Sequence, residues 1–426
     1  ALAQLGERLH GMQEVRGSIP LGSTKLPITH PRLYVLTLGE DASPVSQASP
    51  AQPSLPPCPL SPCPVTAELA APPYRCDGAA DGREETAIVT QPDDLADWSL
   101  HCFCLGARKT PHALVRSGGN GRLLFEAADW CSLADLDQAG ISASEDALAD
   151  LTAFNVLERR DGRVRSRIPR FGPDMIRPLR DRMNAAAGEF LDDAQDLLAE
   201  LAQELAAKGL PHAFYAVFFG TVMDGFLWRH LRNRVDLPDT RLTADHPYWR
   251  GVFWAVYPPV ENAIGTNEIT LGAATLTMVW SEKTTAMLND LRHQGWPAEF
   301  LRFLLGETTE PPPQAAAAGL VDRDSNPTVP VFGSPGFAQL SQLADQLAGR
   351  AAAHLSDTLG SVSFANDLSG PARNVILAHE YIWAMQTAFG RESSALIGQI
   401  ADTRPPVDVR GSVVVHIDPP RPPDPV

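Results

Sequence analysis

The feature that most constrains this fold is a hairpin signal that follows three short amphipathic segments. The dipeptide Asp161-Gly162 separates two strand-like runs, VLERR and RVRSRIP. Asp-Gly is a preferred sequence for tight turns between paired strands. Before it, the spacing of apolar residues predicts short helices over 122–128 and 133–139. The segment should therefore fold as helices followed by a two-stranded antiparallel hairpin.

A third helix is expected to begin after Ser142 or Ser144, because serine caps helix N-termini well. Its apolar face would be formed by residues including Leu148 and Leu151. Three short helices and a hairpin, over residues 110–171, resemble the winged helix-turn-helix domain of bacterial transcription regulators. The resemblance implies a recognition helix and a wing that contact DNA, or a related module that contacts another protein.

Arginines are concentrated on and after the predicted wing. Nine arginines and three aspartates lie between residues 159 and 182. Guanidinium groups fork onto phosphate oxygens, and alternate residues of a strand share one face. The predicted DNA-binding residues are Ser142, Ser144, Arg159, Arg160, Arg163, Arg165 and Arg167. The alternative is a solvated basic face that neutralises the acidic helix after it.

The exposed residues of the third helix argue against a role of this helix in contacting DNA bases. They include Glu145, Asp146 and Asp150, whereas base-reading helices usually present Arg, Asn or Gln. Two functions therefore stay open. The first is a DNA-binding transcription regulator with a ligand-sensing or dimerising helical domain. The second is a winged-helix scaffold that binds protein and not DNA, and an enzyme is a distant third.

A resemblance of another kind covers residues 1–24. Ordinary codons for residues 8–14 form a stem around the alanine anticodon GGC, and codons for residues 15–24 resemble a T-arm and acceptor strand. The segment is similar to an alanine transfer-RNA gene translated in frame. Residues 25–88 are Pro-rich and aperiodic, which predicts disorder. We expect the functional polypeptide to start near Val89.

Composition limits the class of protein further. The formal net charge of −16 argues against a general nucleic-acid coat or a membrane-surface protein. No apolar run approaches the roughly 18 residues that a membrane span needs. Three of the six cysteines lie in the predicted leader, and the spacing of the six is not that of a metal site. The sequence also shows no secretory signal, which favours reduced thiols. A cytoplasmic protein without a metal or cofactor is expected.

The chain after residue 172 predicts a mainly helical domain. A leucine stripe marks FLDDAQDLLAELAQELAAKG, and the helix around Met223 is apolar nearly all round, as in a buried central helix. Two strands, YWRGVFWAVY and EITLGAATLTMVW, are predicted with GTN in a turn between them. A helix over 285–305 should break near Gly295 and Pro297.

An internal echo predicts two related halves. The segment LERRDGRVRSRIPRFGPDMIRPL is answered by LVDRDSNPTVPVFGSPGFAQL, and the apolar helix around Met223 is answered by one around Met385. The predicted class is α+β, mainly α with small β. The predicted divisions are a leader (1–88), a winged-helix domain (89–172), helical halves (173–306 and 319–403), a linker (307–318), and a strand with a disordered tail (404–426).

Two carboxylates on apolar helices mark a candidate ligand pocket. Asp224 and Glu380 need partners, because an unpaired buried charge is very costly. An arginine such as Arg229 or Arg373 would supply one. Alternatively, neighbouring aromatic residues would complete a small-molecule pocket. The predicted pocket residues are Asp224, Trp228, Trp254, Tyr257, His379, Glu380 and Trp383. His379-Glu380 lacks the second histidine of a zinc-protease motif, and no catalytic motif is found.

Overall fold

The computed structural model describes residues 91–104, 107, 109–260, 263–281, 283–362, 368, 370–391 and 404–418. The expectations for the leader, the start near Val89 and the end of the tail lie outside the described residues. Within them the fold combines helices and strands, with helix predominating, in agreement with the α+β class.

The segment 112–166 contains the predicted short helices and hairpin. Its elements are α1 (His112–Val115), α2 (Asn120–Glu126), β2 (Cys131–Ser132), α3 (Leu133–Gln138), α4 (Glu145–Ala153), β3 (Leu157–Arg160) and β4 (Arg163–Ser166). The hairpin is confirmed, since β3 and β4 pair antiparallel and Arg160 faces Arg163. Asp161 and Gly162 both have positive φ, 51° and 71°, which is the geometry of a tight primed turn. The sheet order is β2-β4-β3.

Helix α4 is placed by its cap and by its apolar face. The Ser144 side chain accepts a hydrogen bond from the Ala147 backbone N–H, so Ser144 and not Ser142 is the N-cap. Leu148 and Leu151 are buried, as predicted. They share one core with Val164 of the hairpin and with residues far along the chain, including Trp249 and Phe253.

A small sheet joins this segment to the rest of the chain. Its order is β1 (Ser99–Phe103), β6 (Val252–Val256), β5 (Arg170–Phe171), with β6 antiparallel to β1 and parallel to β5. Every residue of β1 is buried. Strand β1 was not predicted, because a strand buried on both faces shows no alternation of polar and apolar residues.

The second sheet corrects two sequence predictions. Its order is β7 (Ile264–Leu271), β8 (Ala274–Ser281), β10 (Val413–Ile417), β9 (Val331–Phe332). The run predicted as one strand is a hairpin that turns at Gly272, whose φ is +56°. The GTN segment is part of β7 and not a turn. Glycine suits position 265 because a Cβ on Gly265 would lie 2.5 Å from the Trp280 ring.

The long helices form the centre of the molecule. They are α5 (Pro173–Asp193), α6 (Gln195–Ala207), α7 (Phe214–Ala216), a π-helix (Val217–Phe226), α8 (Leu227–Arg232), α12 (Ala338–Ser361) and α13 (Gly370–Arg391). Three further helices, α9 to α11, lie between α8 and α12 in the described part of the chain. Each predicted half packs against the other, because α5 of the first half contacts α13 of the second, and α12 of the second half contacts the π-helix of the first. Met223 and Met385 are both fully buried, as predicted. The duplication itself stays a prediction.

The predicted break near Gly295 and Pro297 is present. It separates α9 (Thr285–Arg292) from α10 (Trp296–Leu304). The segment predicted as a linker contains α11 (Pro313–Ala317), and its Ala315 is fully buried in the core under β8 and β10. The helix was missed because its first residue, Pro313, ends a run of three prolines, and proline suits the first turn of a helix as well as a linker. Among the described residues, no helix has the length and apolarity to cross a bilayer.

Candidate functional site

The arginines of the hairpin make contacts within their own segment. Arg159 forks onto Glu145 at the start of α4, with Nη1–Oε2 and Nη2–Oε1 distances of 2.6 and 2.9 Å. Arg165 donates to Glu158 at 2.8 Å and lies over the Trp130 ring. Two of the predicted phosphate-binding guanidinium groups are therefore neutralised by carboxylates.

The other three arginines lie closer to the hairpin turn or beyond it. Arg163 donates to the Trp130 carbonyl at 2.6 Å. Arg160 lies 3.4 Å from Asp161, and both side chains are highly exposed. Arg167 is exposed just after the end of β4. These three groups, with the exposed Ser142 and Ser144, complete the set that the sequence predicted for DNA contact.

Helices α3 and α4 have a strongly acidic surface. They contain five carboxylates and neither lysine nor arginine: Asp135, Asp137, Glu145, Asp146 and Asp150. The first basic residue after Arg122 is Arg159. The hydrogen bonds from Arg159 hold the pKa of the Glu145 carboxyl below its usual value. Glu145 and Asp146 also lie in the first turn of α4, where negative charge stabilises the helix dipole.

Five of the predicted pocket residues meet in the centre of the molecule. The His379 ring lies 5.2 Å from Trp228, 5.1 Å from Trp254 and 5.7 Å from Trp383. Asp224 approaches the same cluster through Trp228. All five side chains are buried.

His101 belongs to this cluster and was missed by sequence reasoning. Its ring lies 4.5 Å from Trp383 and 5.5 Å from Trp254, and neither ring nitrogen has a hydrogen-bond partner among the described residues. Burial drives the pKa of His101 well below its ordinary value, and His379 adds to the effect. No local signal marks this residue, since it lies on the unpredicted strand β1.

Two neutral side chains donate hydrogen bonds to Asp224. Trp228 Nε1 donates to Oδ1 at 3.0 Å, and Thr266 Oγ1 donates to Oδ2 at 2.5 Å. Burial raises the pKa of Asp224 to about 7, against the opposing effect of these hydrogen bonds. The carboxyl belongs to the π-helix, a form of backbone that is rare and frequent at functional sites.

The space beside Asp224 is too small for an organic ligand. A cavity of about 10 Å³ is bounded by residues that include Asp224, Thr266 and His379. One water needs at least about this volume, whereas ligand pockets usually measure several hundred Å³. His379 Nδ1 donates to the Val375 carbonyl at 2.8 Å, while Nε2 has no partner in the described part of the chain. Burial lowers the pKa of His379 to about 4. The cluster is therefore closed in this conformation.

Glu380 and Tyr257 lie apart from the cluster. Glu380 Oε2 accepts from Arg180 Nε at 3.1 Å, so its partner is Arg180 and neither Arg229 nor Arg373. Burial raises the pKa of Glu380 to about 7, although Arg180 opposes the shift. Tyr257 packs on Trp98, with ring centroids 5.8 Å apart, in the core shared with 112–166.

No group of three or more histidine, cysteine or acidic side chains is arranged for a metal ion in the described part of the chain. Cys102 and Cys104 are buried thiols. No family model matches the sequence, and neither the curated proteins nor the solved structures give a match.

Proposed function

We propose that residues 112–166 form a winged helix-turn-helix module through which this chain acts as a scaffold, binding a basic surface of another protein. The helices α2, α3 and α4, the hairpin and the sheet order β2-β4-β3 support the winged-helix assignment, and the short helix α1 precedes them. The negative charge of α3 and α4 is the observation that favours a basic protein as the partner. Five carboxylates and no basic side chain on these two helices favour a cationic surface.

Electrostatics disfavours the same helices as DNA readers. In helix-turn-helix proteins the N-terminal residues of the second helix enter the major groove, between two rows of phosphates. Here those residues would be Glu145 and Asp146 of α4. Duplex DNA carries about one negative charge per 1.7 Å of its axis. Arg159 compensates Glu145, while Asp146 and Asp150 have no ion pair in the described structure.

A DNA-binding transcription regulator is the second candidate, and a specific observation favours it. Arg160, Arg163 and Arg167 lie on or near the hairpin with exposed side chains. A wing that contacts phosphates would use such residues, and the helical domain would then sense a ligand or form a dimer. Binding of this kind would depend on the wing and would occur despite α4.

Both candidates are tested with one acidic-face variant, Glu145→Gln/Asp146→Asn/Asp150→Asn. Its control, Glu307→Gln/Glu310→Gln/Asp324→Asn, makes the same charge change at exposed sites outside the module. We expect the wild type and the control to co-purify from source cells with a basic protein, and the acidic-face variant to fail to do so. Raised salt should release that partner, because it screens exposed charges. Affinity purification with quantitative mass spectrometry measures this.

DNA binding is measured in parallel by fluorescence anisotropy with a random-sequence duplex at low salt. The scaffold proposal expects no saturable binding by the wild type. Saturable binding that weakens in Arg163→Ala, with the slope of log affinity against log salt flattened by about 0.9 for the one phosphate interaction removed, would move the assignment to the regulator. Tighter DNA binding by the acidic-face variant would further place α4 near the groove.

A further inference from the structure

A cleft rich in arginine lies at one end of the central helices, and none of its residues belongs to the sites described above. Its volume is about 500 Å³, within the usual range for small-molecule sites. Three segments line it: residues 232–236, which begin at the last residue of α8, residues 356–360 at the end of α12, and residues 373–374 in the first turn of α13. The cleft therefore brings together parts of the chain that are far apart in sequence.

Three guanidinium groups line this cleft. Arg232 and Arg234 are exposed, and Arg373 is half-buried. One carboxylate, Asp236, shares the cleft, which leaves a local excess of two positive charges in a chain whose net charge is −16. Arg373 also lies at the N-terminal end of a long helix, where backbone N–H groups add positive potential.

These arginines have no acceptor among the described residues. Arg180, Arg250 and Arg350 form ion pairs within 4 Å, whereas no ion pair or side-chain hydrogen bond occurs for the three in the cleft. Arg373 Nε is shielded from solvent and has no hydrogen-bond partner among the described residues. Buried donors are usually paired in native proteins. Arg116, Arg180, Arg229 and Arg410 also have one such unpaired nitrogen, so the cleft is distinguished by its three guanidinium groups, none of which forms an ion pair in the described structure.

The simpler explanation is that basic residues stabilise the C-terminal ends of α8 and α12. Such residues would hydrogen-bond the last carbonyl groups or lie close to them. Arg232 lies in the last turn of α8 and stabilises that helix end in this way. Arg234 lies beyond the helix, and no bond from its side chain to a carbonyl is present in the described structure. Instead, the Asn374 side chain donates to the Asp236 carbonyl at 3.0 Å and fixes the loop after α8 against α13. The loop is thus held in place, while Arg234 within it has no partner in the part of the chain that the structure describes.

We propose that this cleft binds the phosphate groups of a small molecule. Arginine matches phosphate through forked, charge-assisted hydrogen bonds. A phosphate group presents three oxygens, which suits three guanidinium donors better than the two oxygens of a carboxylate do. The volume accommodates a diphosphate together with a small organic group, and Asp236 is placed to accept a hydroxyl or amine of that group.

Isothermal titration calorimetry of the full chain with inorganic pyrophosphate tests the site. We expect saturable binding with one site per chain. Arg234→Gln and Arg373→Gln should each weaken the affinity about tenfold or more, the effect of removing a hydrogen bond to a charged group. Arg373→Lys keeps the charge but not the forked geometry, so its affinity should lie between those of the wild type and Arg373→Gln.

The control is Arg122→Gln, which makes the same charge change at an exposed arginine of α2. Its affinity should equal that of the wild type. Absence of saturable binding, or equal weakening by Arg122→Gln, would overturn the proposal. Thermal unfolding of each variant checks folding, and Arg234→Gln, at an exposed loop position, keeps the test valid if Arg373→Gln misfolds. Tighter binding of ADP than of pyrophosphate would assign the phosphates to a larger molecule, and equal binding would assign them to the free ion.

Discussion

Replacing Arg180 by methionine is expected to lower the free energy of unfolding by about 3–5 kcal/mol at pH 8, the usual effect of removing one partner of a buried ion pair. The Glu380 side chain is 2% exposed and Arg180 is 22% exposed. Without Arg180 the carboxyl would be left in the core without its cation, and its Oε1 already lacks a hydrogen bond from any described residue. Arg180 Nη1 also donates to the Pro258 carbonyl at 3.1 Å, which adds to the destabilisation.

The destabilisation should be smaller at pH 5. Burial raises the pKa of Glu380 to about 7 even with Arg180 present, and removal of the cation raises it further. At pH 5 the carboxyl is protonated in both folded proteins, so the part of the destabilisation that arises from its charge is absent. That part grows only above the wild-type pKa of about 7 and reaches at most about 1.4 kcal/mol at pH 8. Urea denaturation at the two pH values measures the difference. A destabilisation of equal size at both would show that Arg180 acts through packing and not through charge.

Two further variants complete this test. Arg180→Met/Glu380→Gln should recover the part of the stability at pH 8 that is lost through charge, because no buried charge remains. Arg182→Met, which removes an exposed partner 3.7 Å from Glu189, should cost less than about 1 kcal/mol. Failure of the double variant to recover would contradict the assigned role of Glu380.

Local signals in the sequence predicted the local structure well. Asp161-Gly162 produced the hairpin because both residues tolerate the positive φ that its turn requires. Ser144 and the leucines behind it defined α4. The leucine stripe of α6 and the burial of Met223 followed from apolar periodicity. In each case the determinant lies within a few residues of the structure that it determines.

The features that the sequence did not predict depend on residues that are distant in the chain. Gly265 resembles a turn residue, yet it lies in a strand. Glycine is suited to this strand position because the Trp280 ring occupies the space where a Cβ would lie. His101 joins the aromatic cluster only through the pairing of β1 with β6. Arg180 meets Glu380 across 200 positions of sequence. Tertiary packing made these contacts, and neither periodicity nor residue preference carries information about them.

The cluster around His379 also combines features that the sequence predicted with features that it did not. The sequence identified Asp224 as a carboxylate that needs partners, and it grouped the right tryptophans with it. The partners themselves, Trp228 at 3.0 Å and Thr266 at 2.5 Å, are neutral donors and not the expected arginine. A buried carboxyl with neutral partners has a raised pKa, because desolvation of the charged form outweighs two hydrogen bonds. The stability of the protein should therefore depend on pH through Asp224.

Replacing Asp224 by asparagine is expected to stabilise the protein relative to the wild type increasingly as the pH rises from about 4 to about 7. Asparagine keeps both side-chain hydrogen bonds, since its oxygen accepts from Trp228 and its amide donates to Thr266 Oγ1. In the wild type the folded-state pKa is about 7, against about 3.9 in unfolded chains. The folded state therefore binds more protons over this interval, and its stability falls as the pH rises.

The asparagine variant does not undergo that decrease, so the difference in unfolding free energy should grow by up to about 4 kcal/mol and level off above pH 7, at about 1.4 kcal/mol per pKa unit. The buried histidines, including His101 and His379, have lowered pKa values and give both proteins the opposite slope. Their contribution cancels in the difference. Guanidinium denaturation of both proteins at half-unit pH steps measures it. A difference that stays constant from pH 4 to pH 8 would show that Asp224 is ionised throughout, and that its two neutral donors hold a charge in the core.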